Sequence, residues 1–260
     1  MAGSTHAQDV VLVTGAGRGI GKAIADAHAE AGAKVIYVDF DTIAAEEAAA
    51  AARDRDLQAI GLGADVAHEG AVNAAVAKGI EAFGPITALI NNAGISPKSQ
   101  PGSVKASLWE MPASEWQRVV DVNLTAAFVI GREAGKRMLP RKAGKIINIG
   151  SLMSDSARAT VSPYTAAKAG IKALTQVMAA EWAEHGIQAN AIGPGYMLTE
   201  MNTALVENPT FNAWVVGRTP SRRWGKPEEL IGAAVFLASS ASDYVNGQII
   251  YVDGGMMAVL

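Results

Sequence analysis

Cysteine is absent from this 260-residue chain, which excludes disulfides and thiol catalysis. Excess positive charge is also missing. Lys and Arg number 22 against 25 Asp and Glu, a formal net charge of −3, so nothing points to nucleic acid or another polyanion as a partner. The opening residues, MAGSTHAQDVV, have neither a basic stretch nor an apolar one and do not read as a signal peptide. No uninterrupted apolar run is long enough to cross a bilayer, so no membrane association is expected and a cytoplasmic protein is the default. There is no internal repeat, no interdomain linker, and no low-complexity tract beyond one alanine-rich stretch. No metal site is expected. What remains is a half-apolar chain long enough to bury a large core, read most simply as one α/β domain over residues 1–260.

The run SLMSDSARATVSPYTAAK carries the chemistry. Tyr164 and Lys168 are four residues apart and share one helix face. Ser151 precedes them at a distance that lets it fold back from a strand end. A phenol has a pKa near ~10, and a fixed cation beside it favours the phenolate. Lys168 is therefore expected to lower the Tyr164 pKa. The phenol can then protonate a carbonyl oxygen or deprotonate an alcohol, while Ser151 hydrogen-bonds the same oxygen. This is carbonyl/alcohol redox chemistry if a hydride carrier binds nearby.

The first fifty residues supply a place for one. Val10 to Val13 reads as a buried strand, followed by Thr14-Gly15-Ala16-Gly17-Arg18-Gly19-Ile20-Gly21, a helix over Lys22 to Ala31, and a second strand over Lys34 to Val38 ending at Asp39. Glycines at such a turn let backbone N–H groups approach a pyrophosphate at a helix N-terminus, and the acid can bond the adenosine ribose. Further on, strands are predicted at Ala59–Leu62, Thr87–Ile90, Lys145–Ile149, Gln188–Ile192 and Gln248–Val252. Helices are predicted at Asp41–Leu57, His68–Phe83, Ser114–Met138, Pro163–His185 and Pro227–Ala238. The alternation argues a doubly wound parallel sheet of about seven strands with helices on both faces. Asn91, Ser151 and Pro194 each follow a predicted strand and so fall on one sheet edge. The longest irregular stretch is Ile95 to Pro112.

These motifs together resemble the short-chain dehydrogenase/reductase family over about Val10 to Gly255. They are TGAGRGIG, Asp65-Val66, NNAG at Asn91 to Gly94, Asn123 in DVNL, the Ser151/Tyr164/Lys168 set, and PGYMLT at Pro194 to Thr199. The resemblance implies a Rossmann fold and a catalytic set of Ser151, Tyr164, Lys168 and Asn123. The Asn123 carbonyl would order a water that connects Lys168 to solvent. It implies dinucleotide contacts from Gly15, Arg18, Gly19, Ile20, Gly21, Asp39, Phe40, Asp65, Val66, Asn92, Ala93, Gly94, Tyr164, Lys168, Pro194, Gly195 and Thr199. It also implies a substrate lid at about 197–224, and a homotetramer paired through the helices around 115–138 and 163–185. Asp39 favours NAD by bonding the 2′-hydroxyl and repelling a 2′-phosphate, whereas Arg18 could attract the phosphate of NADP.

The segment from Gly193 onward looks like the gluconate 5-dehydrogenase branch, which interconverts D-gluconate and 5-ketogluconate. Arg158, Arg218, Arg222 and Arg223 offer cations for a carboxylate. The alternatives are a 3-oxoacyl thioester reductase acting on acyl-carrier protein, or a broad ketone reductase with Met153, Tyr196, Met197 and Trp214 lining an apolar pocket. A Ser/Tyr/Lys hydrolase lacks a nucleophile elbow here, and a non-catalytic cofactor sensor would leave the intact Ser/Tyr/Lys set unexplained.

Overall fold

The computed structural model describes residues 9–97 and 106–259. Seven strands among them form one sheet: β1 (Val10–Thr14), β2 (Lys34–Asp39), β3 (Ala59–Gly63), β4 (Ala88–Asn91), β5 (Gly144–Ile149), β6 (Ile187–Pro194) and β7 (Ile249–Val252). Their spatial order is β3-β2-β1-β4-β5-β6-β7, with every neighbouring pair parallel. The helices are α1 (Gly19–Glu30), α2 (Thr42–Arg53), α3 (Glu69–Phe83), α4 (Ala113–Val120), α5 (Ala126–Met138), α6 (Ser162–Trp182), α7 (Thr203–Val206), α8 (Pro209–Arg218) and α9 (Ile231–Ala238).

The strands are apolar at nearly every position because both faces are covered. Val11, Val13, Val35, Tyr37 and Ile147 point into one core with Ile24 and Ala25 of α1, Ala48 and Ala49 of α2, and Leu237 of α9. The alternate residues Val10, Leu12, Ile36, Leu89 and Ile146 point into the other, against Val72 and Val76 of α3, Ile130 and Met138 of α5, and Met178 of α6. The alanine-rich α2 has a physical reason. Its backbone lies so close to β3 that a Cβ added at Gly61 would stand 2.5 Å from the Ala45 carbonyl oxygen. Only small residues on both elements permit that approach. Asp41 caps this helix by accepting from the Ile43 and Ala44 N–H groups at 3.1 and 3.2 Å.

All seven predicted strands are present, within two residues at each end. Four expected helices differ: the one predicted over Asp41–Leu57 stops at Arg53, the one over Pro163–His185 ends in a 3₁₀ turn, Ala183–His185, and two more depart as follows. The predicted continuous helix Ser114–Met138 is α4 and α5 joined by a π-helical turn, Asp121–Thr125. The predicted helix Pro227–Ala238 begins as a 3₁₀ turn, Pro227–Leu230, before α9. In the long irregular stretch, residues 98–105 lie outside the described residues, and Leu108–Glu110 forms a 3₁₀ turn.

A polar chain crosses the core below the strands' carboxyl ends. Asn91 Nδ2 of β4 donates to Asn148 Oδ1 of β5 at 2.9 Å, and Asn148 Nδ2 donates to Thr175 Oγ1 of α6 at 2.9 Å. Thr175 in turn donates to the Ile171 carbonyl at 2.7 Å. Removing the middle member strands both neighbours in a dry interior. Asn148→Ala is expected to cost about 2–4 kcal/mol, since buried groups left unpaired carry their full desolvation penalty. Urea unfolding should show a lower midpoint with an unchanged m-value. No shift would mean that water replaces the amide.

Candidate active site

Strand order reverses between β1 and β4, and in such sheets ligands bind in the crevice at the strands' carboxyl ends. The turn after β1 forms one wall. Gly15 adopts φ +63°, and a Cβ at Gly21 would stand 2.1 Å from the Gly15 carbonyl oxygen and 2.4 Å from Asn92 Nδ2. The Thr14 hydroxyl accepts from the Asn92 and Ala93 N–H groups, both at 3.1 Å. Asn92 Nδ2 donates to the Thr14 and Gly15 carbonyls, both at 3.0 Å. The glycine turn and the NNAG turn are thus a single clasped unit.

Arg18 precedes α1 without supplying a side-chain cap, and the first turn of α1 contains no acid. This helix N-terminus fits an anionic pyrophosphate, the arrangement a dinucleotide needs. Asp39 Oδ2 accepts from Gly17 N–H at 2.9 Å and Oδ1 from Asp41 N–H at 3.0 Å, which fixes a carboxylate at the end of β2. Phe40 beside it is 78 % exposed. Asp65 accepts from Ala67 N–H at 3.0 Å and faces His68 Nδ1 at 2.9 Å, so it shapes the turn after β3. Val66 packs its side chain into the core. Across the crevice, Pro194 ends β6, the Gly195 N–H donates to the Val252 carbonyl at 3.0 Å, and Thr199 lies 3.9 Å from where a Gly19 Cβ would be. Arg18 reaches Glu200 at 3.4 Å, an exposed pair. Among the described residues no cluster of His, Cys, Asp and Glu could hold a metal, and no helix is long and apolar enough to cross a membrane.

Ser151 follows β5 and caps a 3₁₀ turn, Leu152–Ser154, accepting from Met153 N–H at 3.2 Å. Ser154 ties this turn to α6: its Oγ accepts from Ser151 N–H at 3.3 Å and donates to the Lys168 carbonyl at 2.9 Å. The Ser151 hydroxyl lies near enough to the Tyr164 phenol to lower its pKa. Lys168 is 4 % exposed, and its Nζ donates to the Ile149 carbonyl at 2.7 Å.

The electrostatics differ from the expectation. Burial raises the Tyr164 pKa; the Ser151 hydroxyl and the Arg158 charge act to lower it. Lys168 does not take that part here. Burial pulls its own pKa down to about 8, and its Nζ is 5.7 Å from the centre of the Tyr164 ring. Asn123 lies in the π turn, a feature frequent at functional sites. Its Nδ2 donates to the Ile95 and Val119 carbonyls at 2.8 and 2.9 Å. A Cβ at Gly94 would meet Asn123 Oδ1 at 2.7 Å and Lys168 Nζ at 3.6 Å, so these three pack together.

Beside Tyr164 stands a wall of apolar and aromatic groups. Leu152, Met153 and Met256 are buried against Tyr164, Tyr196 and Met257. Tyr196 meets Phe211, Trp214 and Trp224 edge-on, with centroids 5.6, 5.8 and 5.6 Å away. Asp253 holds the C-terminal methionines in place by accepting from the Gly255 and Met257 N–H groups at 2.9 and 2.7 Å.

Comparison with known proteins agrees with this geometry. A family model described as enoyl-(acyl carrier protein) reductase matches residues 15–257. The 5-keto-D-gluconate 5-reductase of Escherichia coli K12 is 44% identical over 250 residues, 96% of each chain. A gluconate dehydrogenase candidate from Agrobacterium tumefaciens is 55% identical with a TM-score of 0.91, covering 97% of each chain. The gluconate 5-dehydrogenase of Burkholderia cenocepacia, solved with NADP and tartrate, is 41% identical with a TM-score of 0.93 over 100% of each chain.

The chain belongs to the short-chain dehydrogenase/reductase family. It is an oxidoreductase of the NAD(P)-using kind that acts on secondary alcohols. In this dehydrogenase/reductase, Ser151, Tyr164, Lys168 and Asn123 lie in one cluster, and the glycine turn, Asp39 and Thr199 rim one crevice. Met153 and Tyr196 pack in one cluster with Tyr164. Met197 is 3 % exposed, packs with the main core, and would touch a Gly225 Cβ at 2.4 Å through its sulfur. Trp214 is 48 % exposed and supports Tyr196 from outside.

Sequence reasoning passed over four contributors. Thr14 fastens the crevice wall, and its place in the TG pair was the available signal. Ser154 aligns the Ser151 turn with α6. Met256 and Met257 reach the pocket from the chain end, which no local pattern announces.

A lysine with a lowered native pKa makes stability rise with pH, because between about 8 and the ordinary value near ~10.4 the unfolded chain holds a proton that the native one does not. Wild type should therefore gain on Lys168→Met across pH 8 to about 10.5 in thermal unfolding. A constant difference across that range would mean that Nζ is solvated.

Proposed function

We propose that this enzyme moves a hydride between a nicotinamide dinucleotide and a secondary alcohol or ketone of a sugar acid, with D-gluconate and 5-ketogluconate as the pair. The observation that carries this reading is the Ser151–Tyr164–Lys168 cluster beside an uncapped α1 N-terminus, at the edge where the sheet reverses. The 44% identity to a 5-keto-D-gluconate 5-reductase supports the choice of substrate.

The nicotinamide supplies or takes the hydride, chemistry that belongs to the cofactor. The protein handles the proton. In reduction Tyr164 donates to the carbonyl oxygen, and in oxidation it accepts from the hydroxyl. Ser151 hydrogen-bonds the same oxygen and offsets its developing negative charge. Lys168 bonds the nicotinamide ribose and returns the proton, through water ordered at the Asn123 carbonyl. Gly15, Arg18, Gly19, Ile20 and Gly21 carry the pyrophosphate; Asp39 and Phe40 the adenosine; Asp65 and Val66 the adenine edge; Asn92, Ala93 and Gly94 the adjoining ribose; Pro194, Gly195 and Thr199 the carboxamide end.

NAD is the favoured cofactor. The Asp39 carboxylate, pinned by two backbone N–H groups, repels a 2′-phosphate. The competing expectation is NADP, found in solved relatives. Residues 197–224 act as the substrate lid of one domain spanning 1–260. Both ends of the lid meet at Gly225, which bonds the Tyr196 carbonyl and the Leu198 N–H. The reading extends to a cytoplasmic homotetramer paired through α4–α5 and α6, where Phe128 and Val177 are exposed. A second reading, a ketone or 3-oxoacyl thioester reductase, is favoured by the apolar wall of Met153, Met256 and Met257.

Absorbance at 340 nm, with D-gluconate and 5-ketogluconate against secondary alcohols, aryl ketones and a 3-oxoacyl thioester, separates these readings. Turnover confined to the neutral compounds or the thioester would overturn the first. Tyr164→Phe should lower kcat by about 10³-fold, the scale of positioned acid–base catalysis, with dinucleotide affinity within about threefold. Asp39→Ser should reduce the NAD over NADP preference by at least about tenfold, the size of one charged contact. An unchanged ratio would remove Asp39 from cofactor choice.

A further inference from the structure

Four arginines offered a cation for a substrate carboxylate, and three are engaged elsewhere. Arg223 pairs with Glu229 at 2.6 Å, Arg218 donates to the Val259 carbonyl at 2.9 Å, and Arg222 donates to the Gly217 carbonyl at 2.5 Å. Arg158 is different. It lies in the segment between Ser151 and Tyr164 and turns into the aromatic wall. Its guanidinium sits over the rings of Phe211 and Tyr196, 5.1 and 5.8 Å from their centres. Nη1 donates to the Tyr196 hydroxyl at 3.2 Å. Its Nε is buried and meets no acceptor among the described residues, and no carboxylate pairs with it there.

We propose that Arg158 is the anchor for the substrate's carboxylate, and that it makes sugar acids, rather than neutral polyols or ketones, the preferred substrates of this site. The inference rests on the sugar-acid reading given above.

The second terminal nitrogen makes no hydrogen bond among the described residues, so the guanidinium keeps a charged donor for an acceptor that arrives from outside. A carboxylate fits best. It is planar and carries the opposite charge, which strengthens each hydrogen bond it accepts from the guanidinium edge. The aromatic rings hold the fork in place and exclude water, so little side-chain freedom is lost on binding. The cation also stands close enough to the Tyr164 phenol to favour its ionised form, so the anchor and the reacting oxygen share one cleft. A substrate acid held at Arg158 therefore presents its hydroxyl-bearing carbons to Tyr164 and Ser151. The apolar methionines pack along the carbon chain. They give no comparable reason to place a half-buried cation there, which a purely ketone-binding pocket would not need.

The test compares D-gluconate with D-gluconamide, its uncharged isostere, in wild type, Arg158→Gln and Arg158→Lys. Near-ultraviolet circular dichroism and thermal unfolding check the fold of each variant. Wild type should favour the acid in kcat/KM. In Arg158→Gln the acid should lose about 10- to 100-fold, mostly in KM, the range of a charge-assisted pair. The amide should lose distinctly less, so discrimination collapses, and Arg158→Lys should fall between. Equal losses for acid and amide would overturn the proposal and leave Arg158 as a support for Tyr196 and Tyr164. If wild type turns over neither compound, the sugar-acid reading fails on its own. D-gluconate binding to the enzyme–NADH complex, read by quenching of tryptophan fluorescence, then decides for Arg158. Binding that is lost in Arg158→Gln keeps the anchor. Equal binding in the variant, or no binding to wild type, overturns it.

Discussion

No side chain fits at position 21, and much of the molecule depends on that. The first turn of α1 lies against the carbonyl of Gly15 and the amide of Asn92 so closely that a single methyl would overlap both. This contact brings three things to one place: the end of β1, the start of α1, and the turn after β4. Thr14 and Asn92 then lock the contact with hydrogen bonds that run in both directions. Because β1 and β4 are also the strands at which the sheet reverses, the clasp closes the floor of the crevice while the helix N–H groups face into it. The anion site is thus a consequence of packing rather than of loop flexibility.

The catalytic cluster follows the opposite principle: it is polar chemistry buried for a purpose. Lys168 is taken from water and held by one carbonyl, and its proton affinity falls. Tyr164 is buried too, and its phenol becomes a poorer acid, offset by Ser151 and Arg158. The two groups start close together near pH ~10, so these opposing shifts move them apart and favour a neutral amine beside a neutral phenol over a buried ion pair. Bound dinucleotide would add its own charge to this balance, and the balance is set within the protein by burial.

Legibility in the sequence tracks how local each interaction is. The strands were readable because β-branched apolar runs between turn signals have few other uses, and the glycine turn because its spacing sits between a strand and a helix. The π turn at 121–125 was not readable, since one extra residue in a turn leaves the apolar pattern of a helix almost intact. The burial of Met197 in the main core was not readable, because the segment after β6 is irregular and inward and outward positions there follow no period. The Tyr164 pKa was read from the cation four residues away, whereas burial, which sequence does not display, dominates it. Choosing among the four arginines needed their partners: Glu229 and two backbone carbonyls for three of them, two aromatic rings and a phenol for the fourth.

The substrate wall explains why a shared scaffold can serve different alcohols. It is assembled from Met153 and Arg158 before α6, from Tyr196 and the aromatic residues of α8, and from Met256 and Met257 at the chain end. None of these side chains takes part in the clasp at Gly21 or the chain from Asn91 to Thr175. Each can therefore change without disturbing the crevice or the sheet. An apolar wall discriminates weakly between ligands, because one methylene more or less is worth only about 1–3 kcal/mol. A buried charge discriminates strongly, because a ligand that fails to meet it leaves it unpaired. Of the wall residues named here only Arg158 is charged, so under the anchor proposed above discrimination between acids and neutral ligands would rest on that one side chain, while the methionines and rings would shape the space along the carbon chain.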